Sequence, residues 1–136
     1  MMRHMSKEAR SVLASAATFA ADKDHCAIHS VDLGIALACS NLLYNLLNEP
    51  ARSELLTGLE QLVEDEPVFV GKPVDVYVYS DPVKRILAYA LEEAQRGGNT
   101  HTQPRHLLIG LLRESDCAAA RMFQSHGINH SRLRSL

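Results

Sequence analysis

The side chains with the widest chemical reach in this sequence are its histidines and cysteines, seven and three among 136 residues. Cys26 and His29 stand at C-x-x-H spacing, and His101 and His106 lie five apart around Pro104. Neither pair by itself supplies the four ligands of a structural zinc tetrahedron. These histidines are therefore read as polar loop residues, with no metal and no cofactor expected. Cys117 stands where a helix can begin at Ala118, and the positive end of a helix lowers a thiol pKa. No Asn or Asp is marked out to orient a histidine beside it, so no nucleophilic pair is assigned. The chain also has no GxxxxGK[ST] run to cradle nucleotide phosphates. The expectation is a protein that is not an enzyme, with no catalytic residue.

Bulk properties narrow the remaining classes. Fourteen basic residues stand against sixteen acidic ones, a net charge of −2, which leaves no electrostatic footprint for nucleic acid or anionic lipid. The apolar fraction of 46% is that of a globular chain, and no apolar run is long enough for a membrane span. Met1-Met2-Arg3-His4-Met5 offers no apolar stretch before Lys7, so no signal peptide is expected. Three scattered cysteines suit reduced thiols in a cytoplasm.

The elements that must carry any site repeat themselves. With Ser6 set against Ser80, Leu13 falls on Leu87, Ala16 on Ala90, Ala20 on Ala94, Leu33 on Leu107, Ile35 on Ile109 and Leu37 on Leu111, without a gap. A shift of two residues then aligns 42–47 with 118–123. Matches that run through a loop into a second helix indicate a tandem duplication rather than two alike helices. Within each copy the apolar residues keep a helical period, clearest at Val83, Ile86, Leu87, Ala90, Leu91 and Ala94. Ser6 and Ser80 are placed to cap first helices, Ser30 and Pro104 to open second ones. A short third helix is expected over 42–47, stopped before Pro50, and a fourth from Ser53 to Val63. Residues 64–79 carry two prolines, a Gly-Lys-Pro turn and the alternation Val74, Val76, Val78, which reads as an extended linker with no obvious strand partner. The expected organisation is one all-α domain over 1–136, with repeats at 6–63 and 80–136 joined by the linker 64–79.

The segments SKEARSVLASA and DPVKRILAYALEEAQ resemble the first helices of the two repeats of the Clp N-terminal domain (the double Clp-N motif). PRHLLIGLLRESDCAAARMFQSHGI is similar to that domain's second-repeat signature. The resemblance implies two four-helix motifs related by a pseudo-two-fold axis, placed before AAA+ unfoldase rings to receive adaptor or substrate proteins. The chain is thus expected to be a protein-binding module of the Clp system, either the front of a longer unfoldase or a stand-alone regulator. A small-molecule-sensing helical domain is the reading from another class, and it would need a pocket with converging polar groups.

The family opens its second helix with Gly-Thr-Glu-His, and its arginine-phosphate-reading members use that acid in each repeat. Here Val31 and Arg105 stand at those positions, which removes a bidentate guanidinium contact from both. At Cys117 the family carries a small residue, usually glycine, so a loop role is expected there. Met5 and Tyr79 precede the two first helices at equivalent places, where the resemblance implies aromatic residues on a ligand surface near the axis. Met5, Tyr79 and Arg105 are accordingly the candidate binding residues.

Overall fold

The computed structural model describes residues 4–62, 78–114 and 117–136. Among them are seven α-helices and no strand. Helix α1 spans Lys7–Asp22, α2 Ser30–Ala38, α3 Glu49–Glu60, α4 Asp81–Arg96, α5 Pro104–Arg113, α6 Ala118–Ser125 and α7 His130–Arg134, with a 3-10 turn at Asn41–Asn45 between α2 and α3. Most of the expected linker, 64–77, lies outside the described residues, as do Val63 and the turn residues 115–116.

The duplication is visible in local geometry at the sequence offset. The Ser6 side chain accepts from Ala9 N–H and the Ser80 side chain from Val83 N–H, the two first-helix caps. Both first helices end on a residue with positive φ, Asp24 at 59° and Gly98 at 74°. The next residues then hydrogen-bond back alike, His25 N–H to Ala20 O and Asn99 N–H to Ala94 O, each at 2.9 Å. Leu13 and Leu87 are equivalent and both buried.

Two departures from the sequence reading have local causes. His29, not Ser30, is the N-cap of α2, because the Asp32 carboxylate accepts the His29 N–H at 3.0 Å and turns the chain one residue earlier. Helix α3 begins at Glu49 rather than Ser53. Pro50 sits in its first turn, where a missing N–H costs nothing, and the Asn48 side chain caps Ala51 N–H. That early cap leaves room only for a 3-10 turn where the sequence suggested a third helix.

The repeats are joined by reciprocal backbone pairing. Ser6 N–H donates to Thr102 O at 2.8 Å and Thr102 N–H to His4 O at 2.7 Å. The symmetry mates are Ser80 N–H to Ile28 O at 3.0 Å and Ile28 N–H to Val78 O at 2.7 Å. The segment before each first helix is thus stitched to the loop of the other repeat, in the short parallel bridges Met5–Thr102 and Ile28–Tyr79. Ile28 is the partner for the linker's end that the sequence did not reveal.

Beneath this seam lie the second helices. Every residue of α2 is buried, as is α5 from His106 to Leu112. They touch one another, and each lies against its own first helix, α5 on α4 most extensively. The reason is Gly110: a Cβ there would stand 2.5 Å from Ile86 O and 3.2 Å from Ala90 N. Its counterpart in the first repeat is Ala36. Helix α7 is tied to α4 by Arg134, whose Nε and Nη2 donate to the buried Glu93 carboxylate at 2.5 and 3.2 Å. This bonding holds the Glu93 carboxyl below the usual glutamate range, against the opposing effect of burial.

Gly110→Ala is expected to cost about 1–3 kcal/mol or more, by overpacking against backbone that has no rotamer to yield; urea unfolding measures it. Arg134→Ala leaves a buried carboxylate without its main donor and is expected to cost about 1–3 kcal/mol. Because the folded Glu93 titrates below its unfolded value, the pair stabilises fully above the unfolded pKa, and that contribution is lost as pH falls through the folded one. The difference between wild type and Arg134→Ala should therefore shrink below about pH 4, a trend that unfolding curves from pH 7 to pH 3 read directly.

Candidate functional site

Each repeat turns a corner between its first and second helices, and the two corners are built alike but furnished differently. In the second repeat, Gln103 N–H donates to His106 Nδ1 at 2.9 Å, and Asn99 Nδ2 lies 3.4 Å from His106 Nε2. Burial, with Arg105 beside it, pushes the His106 pKa below the ordinary imidazole value, which matches a ring that accepts at Nδ1. In the first repeat the same three places hold His25, His29 and Asp32. The two Nδ1 atoms are 2.8 Å apart, and they lie 3.6 and 3.7 Å from Asp32 Oδ2. All three residues are buried, and Lys23 Nζ reaches Asp32 Oδ1 at 3.0 Å. These are groups that can hold a metal, and sequence reasoning missed them. It paired His29 with Cys26, whereas the structure gathers His29 with His25 and Asp32. The signal was present: His25 and His29 stand at H-x-x-x-H spacing, and Asp32 follows three residues later.

Beside the second-repeat corner runs an open groove of about 860 Å³ with walls from both repeats. The exposed side of α1 supplies Ser11 and Ser15, the end of α2 supplies Ala36 and Cys39, and the start of α5 supplies Gln103 and Arg105. Arg105 is half-buried. Its Nη1 donates to Leu136 O and its Nη2 lies 3.4 Å from Asn99 Oδ1, while its buried Nε meets no acceptor among the described residues. Cys39 is not an activated thiol. Although it is exposed, partial desolvation pushes its pKa up, and Glu60 acts in the same direction. Cys117 is buried at the N-cap of α6.

The three candidate binding residues fall in different settings. Arg105 lines the groove. Met5 is buried at 5% exposure in its bridge with Thr102, so it holds the seam from within. Tyr79 is half-buried in the mate bridge with Ile28. Val31, the counterpart of Arg105, is a core residue at 2% exposure. Among the described residues no helix is long and apolar enough to cross a membrane.

Comparison with known proteins points one way. The family model described as Clp repeat (R) N-terminal domain matches residues 78–136. Chaperone protein ClpC2, chloroplastic, of Oryza sativa subsp. japonica is 40% identical over 57 residues, 42% of this chain and 6% of that protein. The chain thus spans only a small fraction of the curated relatives it matches. Among solved structures, the Hsp104 N-terminal domain from Candida albicans aligns with a TM-score of 0.73 at 15% identity, covering 96% of this chain and 87% of that one. The N-terminal domain of ClpD from Arabidopsis thaliana gives 0.66 at 18% identity, covering 99% and 92%. Residues 78–136 thus match the Clp repeat N-terminal domain model, and the chain as a whole has the fold of the N-terminal domains of Clp and Hsp104 chaperones.

Proposed function

We propose that this chain is a non-enzymatic protein-binding module that docks adaptors or substrates for a Clp-type AAA+ unfoldase, as its N-terminal domain or as a stand-alone regulator. The observation that carries the reading is the groove whose walls come from both repeats and whose end is Arg105, inside the segment that matches the family. A single peptide lying there touches both halves at once, as a receptor built by duplication requires. Free thiols at Cys26, Cys39 and Cys117 suit work in a reducing compartment such as a cytoplasm. The organisation we infer is a repeat over 6–63, a linker over 64–79 and a second repeat over 80–136. A small-molecule sensor is the competing use of the same groove, whose volume falls within the range of ligand pockets.

Recognition of phosphorylated arginine in the usual manner is disfavoured by both counterparts of the family's acids. Val31 is buried and apolar, and Arg105 has donors only, so neither place offers an acceptor to the ligand's guanidinium. Calorimetry with free phosphoarginine is expected to show no saturable heat, and two-site binding would contradict this account. Peptide docking in the groove predicts that Arg105→Glu weakens an unfoldase substrate or adaptor at least tenfold, about 1.4 kcal/mol, and a partner that also reaches Tyr79, which lies outside the groove in the Ile28 bridge, is weakened as much by Tyr79→Ala. Chemical-shift mapping with that partner checks the placement. Resonances of Tyr79, Arg105 and the groove residues that stay unmoved would send the search for the docking surface elsewhere.

A further inference from the structure

The corner of the first repeat carries more than the fold asks of it. We propose that His25, His29 and Asp32 form a binding site for a divalent transition-metal ion, zinc in the first instance, with water or an external group as fourth ligand. Around a tetrahedral ion with bonds of about 2.0–2.1 Å, neighbouring ligand atoms stand roughly 3.3 Å apart. The three distances here are 2.8, 3.6 and 3.7 Å, which straddle that value. Small rotations of the two rings bring both Nδ1 atoms and Oδ2 onto one ion. Two imidazoles with one carboxylate form a donor set suited to zinc and its neighbours in the first transition row, rather than to calcium or magnesium. Among the described residues no other trio of histidine, cysteine and acidic groups converges in this way.

The backbone holds these donors in advance. His25 follows the positive-φ residue Asp24 and is pinned by its N–H to Ala20 O. His29 caps α2, and Asp32 lies in the first turn of the same helix. The carboxylate is oriented from two sides, by His29 N–H on Oδ2 and by Lys23 Nζ on Oδ1, so its remaining Oδ2 lone pair faces the imidazoles. His25 keeps 7% of its surface exposed while His29 and Asp32 keep none, which gives the ion one side of approach.

The duplication supplies an internal control. The second-repeat corner has the same turn and an acceptor at the same third helical position, His106 in place of Asp32, with Asn99 and Gln103 in place of the two histidines. One acceptor there is what the corner requires. The His29 ring takes the capping place of Gln103, and the first repeat adds the His25 ring beside it, so that three donor atoms rather than one converge at this corner.

Zinc titration against a chromophoric chelator is expected to give one equivalent per chain. Cobalt is expected to give the visible absorption of a four-coordinate site. The variants His25→Asn and His29→Gln install the second repeat's own residues. Each should weaken zinc at least tenfold, and together they should abolish it while the metal-free melting temperature moves by only a few degrees. Zinc bound equally well by the double variant would place it on other histidines and overturn the proposal. If the double variant fails to fold, imidazole 15N spectra of the wild type decide. The proposal requires two histidines to shift at Nδ1 on zinc addition, and no shift, or a shift at Nε2 alone, overturns it.

Discussion

Four backbone hydrogen bonds, two from each repeat, tie the segments before α1 and α4 to the loops of the opposite half. They set the relation between the repeats, and the remaining contacts follow from it. Once Ser6 is held by Thr102 and Ser80 by Ile28, the first helices start from fixed points, and the corners after them bring α2 and α5 together at the centre. Side chains at the seam serve the same end. Met5 is buried beneath its bridge and Tyr79 packs against the core beside its own. A buried polar backbone needs such partners, and here each half provides them for the other.

The two halves then divide their labour. The second repeat keeps the closer helix pair, through Gly110, and the buried Glu93–Arg134 tie. It is also the half whose sequence matches the family. The first repeat has alanine at the place of Gly110, replaces a full helix with a 3-10 turn, and holds the histidine corner. Divergence has gathered where the fold demands least, in the residues furnishing a corner whose backbone is fixed by other means.

Much of this was legible in the sequence. The offset that aligned Leu13 with Leu87 also aligns caps, positive-φ residues and corner hydrogen bonds, because apolar periodicity and turn chemistry are local properties. What escaped notice depended on which of two local roles a residue takes. Pro50 both ends one element and opens the next, and Ser30 and His29 compete for one cap that Asp32 awards to His29. The pairing of Tyr79 with Ile28 is set by tertiary placement alone, so no window of sequence announces it. The histidine corner lay in view as H-x-x-x-H, yet its carboxylate reads as an ordinary first-turn acid until the helix start is known. Of the binding candidates, Arg105 sits in the groove, while Met5 and Tyr79 sit in the seam.

The exchange of backbone pairing makes this chain the covalent equivalent of a symmetric dimer. In an open solenoid each repeat leans on the next and leaves unsatisfied ends to be capped. Here the two-fold relation closes the set, and no third repeat can be added without displacing one already present. A half released from its twin would carry an unpaired pre-helix segment and an unpaired loop, shaped to fit each other but unable to meet within one copy. Such a half has its complement only in a second copy of itself, the geometry from which domain swapping starts.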